Sequence, residues 1–145
     1  ELLPQRSEDL PKPFAVGVMN AAGEHELITS GELVPAVMAS CAMPVLFEPL
    51  RVNDAWYRDG GAVDRLGVEA WRRWRPEQPA IAHWVERSAG KDVEVDLSGV
   101  TVVRTPRSGA KLWSLGDFHG QRAEAAELTR QQHAASEVRA LPPRL

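Results

Sequence analysis

The sequence has little cysteine, little lysine and no long apolar run: one cysteine, three lysines against 14 arginines, and no stretch of 18 apolar residues. The single cysteine, Cys41, cannot form an internal disulfide, so a cytoplasmic location is favoured, although the compartment is not fixed by the sequence. The lack of a long apolar run excludes a membrane-spanning helix. The net charge is −3 and the arginines form no dense block, so we predict no nucleic-acid partner.

The composition is that of a folded protein. The 145 residues are 43% hydrophobic and 26% charged, close to the average of globular domains. A chain of this length can bury about two thirds of the surface that its unfolded form exposes. We therefore expect a real hydrophobic core.

The first half of the chain contains strand and helix signals in alternation. The short apolar run Phe14 to Met19 predicts a strand buried on both faces, paired through a turn with a second strand from His25 to Ile28. Thr29 to Glu32 has the pattern of a capping box and predicts a helix that ends near Ser40. Leu50 to Tyr57 predicts a hairpin around Asn53 and Asp54.

The second half continues in the same way. Val68, Trp71 and Trp74 recur at helical spacing before Pro76, which ends the helix. Strands are predicted at Ala80 to Val85 and Val100 to Val103, and a long half-exposed helix at Phe118 to Val138. Helices and strands interleaved in this manner predict an α/β fold.

The segment Trp56-Tyr57-Arg58-Asp59-Gly60-Gly61 stands out because an acidic residue closes a strand and two glycines follow it. Paired glycines permit positive φ and close approach of another backbone, so they can hold a carboxylate at the end of a sheet. Taken alone, Asp-Gly-Gly most often forms a turn in which the aspartate bonds local amides.

The surrounding motifs change that interpretation. Three motifs follow one another along the chain: Ala39-Ser40-Cys41-Ala42-Met43-Pro44, Phe47-Glu48-Pro49 and Asp59-Gly60-Gly61. From about Pro13 to Trp71 the sequence resembles patatin-like phospholipase domains, whose pattern is Ala-Ser-x-Ala-x-Pro, then Phe-x-Pro, then Asp-Gly-Gly.

The resemblance implies part of a three-layer α/β/α domain that hydrolyses acyl esters of lipids with a Ser-Asp dyad and no cofactor or metal. By its place in the motif, Asp59 is the expected catalytic aspartate, with Gly60 and Gly61 shaping its loop. The family's Gly-x-Ser-x-Gly elbow precedes the matched region and does not occur in these 145 residues. We therefore expect residues 1–145 to be the C-terminal portion of one such domain, supplying the aspartate but not the serine.

Two positions depart from the family pattern. Where relatives often continue Asp-Gly-Gly-x-x-Asp-Asn-x-Pro, this chain has Arg65 in place of the asparagine and Gly67 in place of the proline. These changes follow the catalytic loop and concern its support and the acyl pocket rather than Asp59 itself.

Other residues have simpler interpretations. Ser40 lacks the flanking glycines of an elbow serine and is expected to pack or cap a helix end, and Cys41 is expected to be a buried apolar residue. The four histidines lack metal-ligand spacing, so no metal site is predicted. The tryptophans could line a lipid pocket, but core packing is the preferred interpretation; they are Trp56, Trp71, Trp74, Trp84 and Trp113.

Two questions of partner and activity remain open at this stage. Arg72, Arg73 and Arg75 form a small basic face that could contact a membrane surface transiently, although surface arginines are usually only solvated. The alternative to a hydrolase is a truncated or decayed fragment that binds a partner and catalyses nothing. Turnover abolished by Asp59→Asn would contradict that alternative.

Overall fold

The structure is a computed structural model that describes residues 3–86, 94–107, 109, 114 and 116–140, with side chains up to residue 134. Its helices are α1 (Leu33–Ser40), α2 (Val68–Trp74) and α3 (Phe118–Ala140). Its strands are β1 (Val16–Met19), β2 (His25–Ile28), β3 (Leu50–Val52), β4 (Ala55–Asp59), β5 (Ala80–Val85) and β6 (Val100–Thr105). Short 3-10 helices cover Ser7–Asp9 and Gly60–Ala62. The predicted α/β class is confirmed.

The chain divides into two compact units. The first comprises Glu1–Gln78 with Asp92–Val95, and the second comprises Pro79–Lys91 with Asp96–Leu145. The first unit contains β1 to β4, α1 and α2, and the second contains β5, β6 and α3.

The sheet of the first unit has the strand order β2-β1-β4-β3, and all its pairs are antiparallel. Val16 and Val18 of β1 are buried, whereas the residues between and after them are only partly buried. The expectation that this strand is buried on both faces was therefore wrong. Side chains alternate between faces along a strand, and only one face of β1 meets the core.

The hairpin of β3 and β4 was predicted from Asn53 and Asp54 and is confirmed. Both residues have positive φ, 47° and 67°. A two-residue turn of this kind matches the right-handed twist of the flanking strands, and asparagine and aspartate tolerate the conformation better than most residues. The hairpin pairs Leu50 with Tyr57 and Val52 with Ala55, which places β4 directly beside β1.

The core of the first unit lies between the sheet and α1. Its buried side chains come from β1, β2, β3 and α1: Val16, Val18, Ile28, Ala36, Ala39 and Val52. Burying one valine or isoleucine contributes about 1.5–3 kcal/mol. The small alanines on α1 let the helix approach the strands closely, which brings the end of α1 next to the end of β4.

The start of α1 differs from the capping box that the sequence predicts. The residue preceding the helix is Glu32, and no side chain caps the first turn. Instead, Leu33 N donates to Gln5 O (2.9 Å), and Gly31 N donates to Glu8 Oε2 (3.0 Å). The polar segment before β1 therefore satisfies one amide that a helix start leaves unpaired, that of Leu33, and fixes the chain just before the helix at Gly31. The end of the helix at Ser40 is as predicted.

The second unit is a two-stranded parallel sheet with α3 packed on β6. Gln132 of α3 makes two bonds to the backbone of Arg104: Arg104 N donates to its Oε1, and its Nε2 donates to Arg104 O, each at 2.7 Å. The amide side chain thus pairs with the strand as a neighbouring backbone would. Strand β6 is two residues longer than the sequence predicts, whereas the predicted strand β5 and the start of α3 agree with the structure.

Candidate functional site

Asp59 is the last residue of β4 and begins the 3-10 turn Gly60–Ala62. Its backbone N donates to Ala42 O (3.0 Å), which ties the end of β4 to the segment that follows α1. Its Oδ1 accepts from Gly61 N at 2.8 Å. Among the described residues, no other group donates to this carboxylate. One oxygen is thus held by the turn while the other stays available.

The two glycines after Asp59 have different reasons to be glycine. A Cβ on Gly60 would lie 2.7 Å from the carbonyl carbon and oxygen of Gly17 and 2.8 Å from Val18 N, all of them backbone atoms of β1. A Cβ on Gly61 would lie 3.1 Å from Asp59 Oδ1. Gly60 therefore allows the turn to pack against the strand, and Gly61 leaves room for the carboxylate.

The turn opens onto a cleft of about 680 Å³ in the first unit. Polar lining residues include Asp59, Asp64, Arg65 and His25. The apolar part of the lining includes Phe14, Leu27, Leu66, Trp71 and Trp74. A concave surface that combines apolar side chains with a few polar groups is typical of a small-molecule site.

The segment from Asp64 to Gly67 forms the part of the cleft where the sequence departs from the family pattern. Asp64 Oδ1 accepts from Leu66 N and Gly67 N, both at 2.9 Å, so this carboxylate has a structural role before α2. Gly67 has φ 63°, the left-handed conformation, and precedes the first residue of α2. Arg65 and Gly67 both line the cleft, so the two departures alter its wall.

The comparison with known families bears on this same region. Residues 20–71 match the family model of patatin-like phospholipases. This segment is patatin-like. The match covers about a third of the chain and contains the hairpin, the Asp59 turn and most of α2. Over these residues it confirms the family resemblance that the sequence motifs indicated. No curated protein matches the chain.

Ser40 and Cys41 lie near the cleft at the end of α1 and inside the patatin-like segment. Ser40 Oγ donates to Val37 O at 2.7 Å, the helix-end role expected for it. Cys41 is exposed, so the expectation that it is buried was wrong. The residue follows the last turn of α1, where the chain leaves the core.

The preferred interpretation of the tryptophans as core residues was also wrong for the described ones. Trp71 and Trp74 line the cleft, with their rings edge to face at 5.5 Å. Trp56 is 55% exposed, and Trp84 lies under the Arg104 guanidinium at 4.3 Å. Trp113 lies outside the described residues. The helical spacing of Trp71 and Trp74 was correct, but the face that they share borders the cleft.

The basic face on α2 is partly engaged within the protein. Arg72 pairs with Glu69 at 3.0 Å, and the guanidinium of Arg75 lies 4.4 Å from the centre of the Trp74 ring. In the described part of the chain, no helix is both long and apolar enough to cross a membrane. Those same residues contain no cluster of three potential metal ligands.

His25 is a cleft residue that sequence reasoning missed. The signal was present in the predicted hairpin of β1 and β2, because alternation places His25 and Leu27 on one face. The observed register pairs Gly17 with Leu27 and Met19 with His25.

Proposed function

We propose that this chain supplies the catalytic aspartate of a patatin-type serine hydrolase that cleaves lipid or other carboxylic acyl esters. The observation that carries the proposal is the placement of Asp59. It lies within the patatin-like segment at the wall of the cleft, with Oδ1 fixed by the Gly61 amide and its second oxygen unpaired among the described residues. Gly60 and Gly61 are the motif residues that allow this geometry.

In the proposed reaction, the serine of an upstream elbow attacks the ester carbonyl carbon, and its proton passes to the Asp59 carboxylate. The C–O bond to the alcohol then breaks, and Asp59 returns the proton to the leaving oxygen. Water hydrolyses the acyl-serine by the same steps, with Asp59 again accepting and returning one proton. The fixed Oδ1 favours this role because a base must be held within hydrogen-bonding distance of the hydroxyl.

The proposal includes the domain assignment. Residues 1–145 would be the C-terminal portion of a single patatin-like domain, whose elbow and oxyanion loop come from preceding sequence. Apolar side chains exposed on α1 support a larger domain, since Val34 is 48% and Met38 55% exposed. Contiguous apolar surface of this kind usually packs against something.

The test is hydrolysis of p-nitrophenyl esters by the full-length gene product carrying Asp59→Asn. General-base catalysis contributes about 10²–10⁴-fold, so we expect kcat to fall by at least about 100-fold. The matched control is Asp54→Asn, the same chemical change at a hairpin tip where the side chain is 92% exposed. We expect that variant to stay within about twofold of the wild type.

Two results would contradict the proposal. If Asp59→Asn retained activity while melting like the wild type, Asp59 would not be the base. If the wild-type protein hydrolysed none of the esters, the non-catalytic alternative would stand. Equal melting temperatures for Asp59→Asn and Asp54→Asn exclude unfolding as the cause of lost activity.

A further inference from the structure

The second unit contains a small cavity of its own, where its two strands end. Strands β5 and β6 run parallel, with Val85 beside Thr105, so both end at the same edge of the sheet. A cavity of about 230 Å³ lies there, between the strand ends and the first two turns of α3. Open α/β sheets bind ligands in this position, outside the carboxyl ends of their strands.

The apolar part of the cavity comes from the sheet and from the helix. Val85 is the last residue of β5, and Pro106 directly follows β6. Phe118 and Ala125 lie seven residues apart on one face of α3. The Phe118 residue is 55% exposed, so a ligand with an apolar body would remove part of this ring from water.

Three charged side chains line the same cavity: Arg107, Arg122 and Glu124. All three residues are exposed, and none of their side chains bonds to a described residue. Glu124 therefore does not neutralise either guanidinium by a direct ion pair. Two positive charges face one negative charge across a small space, so the cavity favours an anion over a cation.

The loop that carries Arg107 is fastened to the helix that carries Arg122. Gln121 Oε1 accepts from Gly109 N at 3.1 Å, two residues after Arg107. At the helix start, Asp117 Oδ1 accepts from Gly120 N at 2.9 Å. Because a carboxylate already caps this amide, recognition of an anion depends on the two arginines and not on the helix end.

We propose that this cavity binds a small organic acid, with its carboxylate between Arg107 and Arg122 and its apolar body against Val85 and Phe118. The N–H donors of a guanidinium form a fork that matches the two oxygens of a carboxylate. The apolar lining adds a contact that an inorganic anion cannot make. The proposal concerns the second unit alone and does not depend on Asp59 or on ester hydrolysis.

The test is a binding titration of the isotope-labelled full chain, followed by two-dimensional amide NMR spectra. The probes are benzoate, its uncharged counterpart benzamide, and inorganic phosphate. We expect benzoate to bind about tenfold more tightly than benzamide, the value of two exposed ion pairs, and more tightly than phosphate. The amide signals of Arg107, Gly109, Gln121 and Arg122 should shift as benzoate is added.

Four variants localise the effect. Arg107→Gln and Arg122→Gln should each weaken benzoate binding about threefold, and together they should abolish the preference over benzamide. Glu124→Gln removes the opposing charge and should tighten benzoate binding about twofold. The matched control is Arg130→Gln, the same change in charge on an arginine of α3 that pairs with Glu127 and does not line the cavity; it should leave both affinities unaltered.

Loss of the fold would not imitate these results. Neither Arg107 nor Arg122 has a side-chain bond to a described residue, and the amide spectrum of each variant shows directly whether the chain remains folded. The proposal is overturned if benzoate and benzamide bind equally, if neither binds, or if the preference survives in the double variant. It is also overturned if phosphate binds as tightly as benzoate, because the cavity would then recognise charge alone, or if Arg130→Gln weakens benzoate binding as much as the cavity variants do.

Discussion

Gly60→Ala tests whether the close packing of the Asp59 turn on β1 holds the site together. The added methyl would lie 2.7 Å from the Gly17 carbonyl and 2.8 Å from Val18 N. Both contacts are to backbone, so no side chain can rotate away. The turn or the strand must move, and the short β1–β4 ladder joins the two.

The magnitude follows from that ladder. Strands β1 and β4 pair at only two positions, Val18 with Asp59 and Met19 with Arg58. Overpacking costs about 1–3 kcal/mol, and loss of one ladder hydrogen bond adds about 0.5–1.5 kcal/mol, so we expect a loss of about 2–4 kcal/mol. With an m-value of about 2 kcal/mol per molar urea, the midpoint should fall by about 1–2 M.

Gly61→Ala is the matched control for that prediction. Its methyl would meet side chains rather than backbone: Asp59 Oδ1 at 3.1 Å and Arg65 Cγ at 3.9 Å, of which only the first is tight, and a shift of a few tenths of an ångström relieves it. Its stability should stay within about 1 kcal/mol of the wild type. Urea denaturation of both variants checks this prediction. The reasoning is refuted if Gly60→Ala is as stable as the wild type, or if Gly61→Ala is the less stable of the two variants.

Two further predictions concern the helix contacts of each unit. The hydrogen bond from Gly31 N, more than that from Arg6, lowers the pKa of Glu8 from 4.5 to about 2. Because the pKa of Glu8 is lower in the folded state, the stabilisation is complete above pH 4.5 and is lost as the pH falls toward 2. Glu8→Gln should therefore flatten the acid limb of a curve of unfolding free energy against pH. An unchanged acid limb would contradict the assignment. Gln132→Ala should cost about 1–2 kcal/mol and speed hydrogen exchange at the Arg104 amide, whereas Gln131→Ala, which loses a bond only within α3, should not.

Much of the fold was predictable because local signals decided it. Asn53 and Asp54 fix a turn of one type, Pro76 prevents continuation of α2, and a short apolar run marks β1. The start of α1 was not predictable in the same way, because the amides of Leu33 and Gly31 bond to Gln5 and Glu8, which lie more than twenty residues earlier. Helix propensity and capping patterns depend only on residues close together in sequence. This contact joins distant residues, so it exists only once the chain has folded.

Part of the candidate site was predictable from local sequence and part was not. Asp59 and its glycines were identified by motif, and the clash that a Cβ on Gly60 would make supplies the physical reason for that glycine. The cleft wall was missed because it depends on which side of the sheet α2 covers. Period and spacing identified Trp71 and Trp74 as residues of one helical face, but they could not show that this face borders an open cleft.

The β3–β4 hairpin imposes a constraint on length that it does not impose on composition. Strand β4 carries Asp59 at a fixed number of residues from the turn, and side chains point to alternate faces with every residue. Inserting or deleting one residue between Asn53 and Asp59 would turn the carboxylate to the opposite side of the sheet, although every motif residue would remain. The tip itself is exposed and tolerates exchange among residues that accept positive φ. A library intended to alter this protein should therefore vary the identities at the tip and keep its residue count.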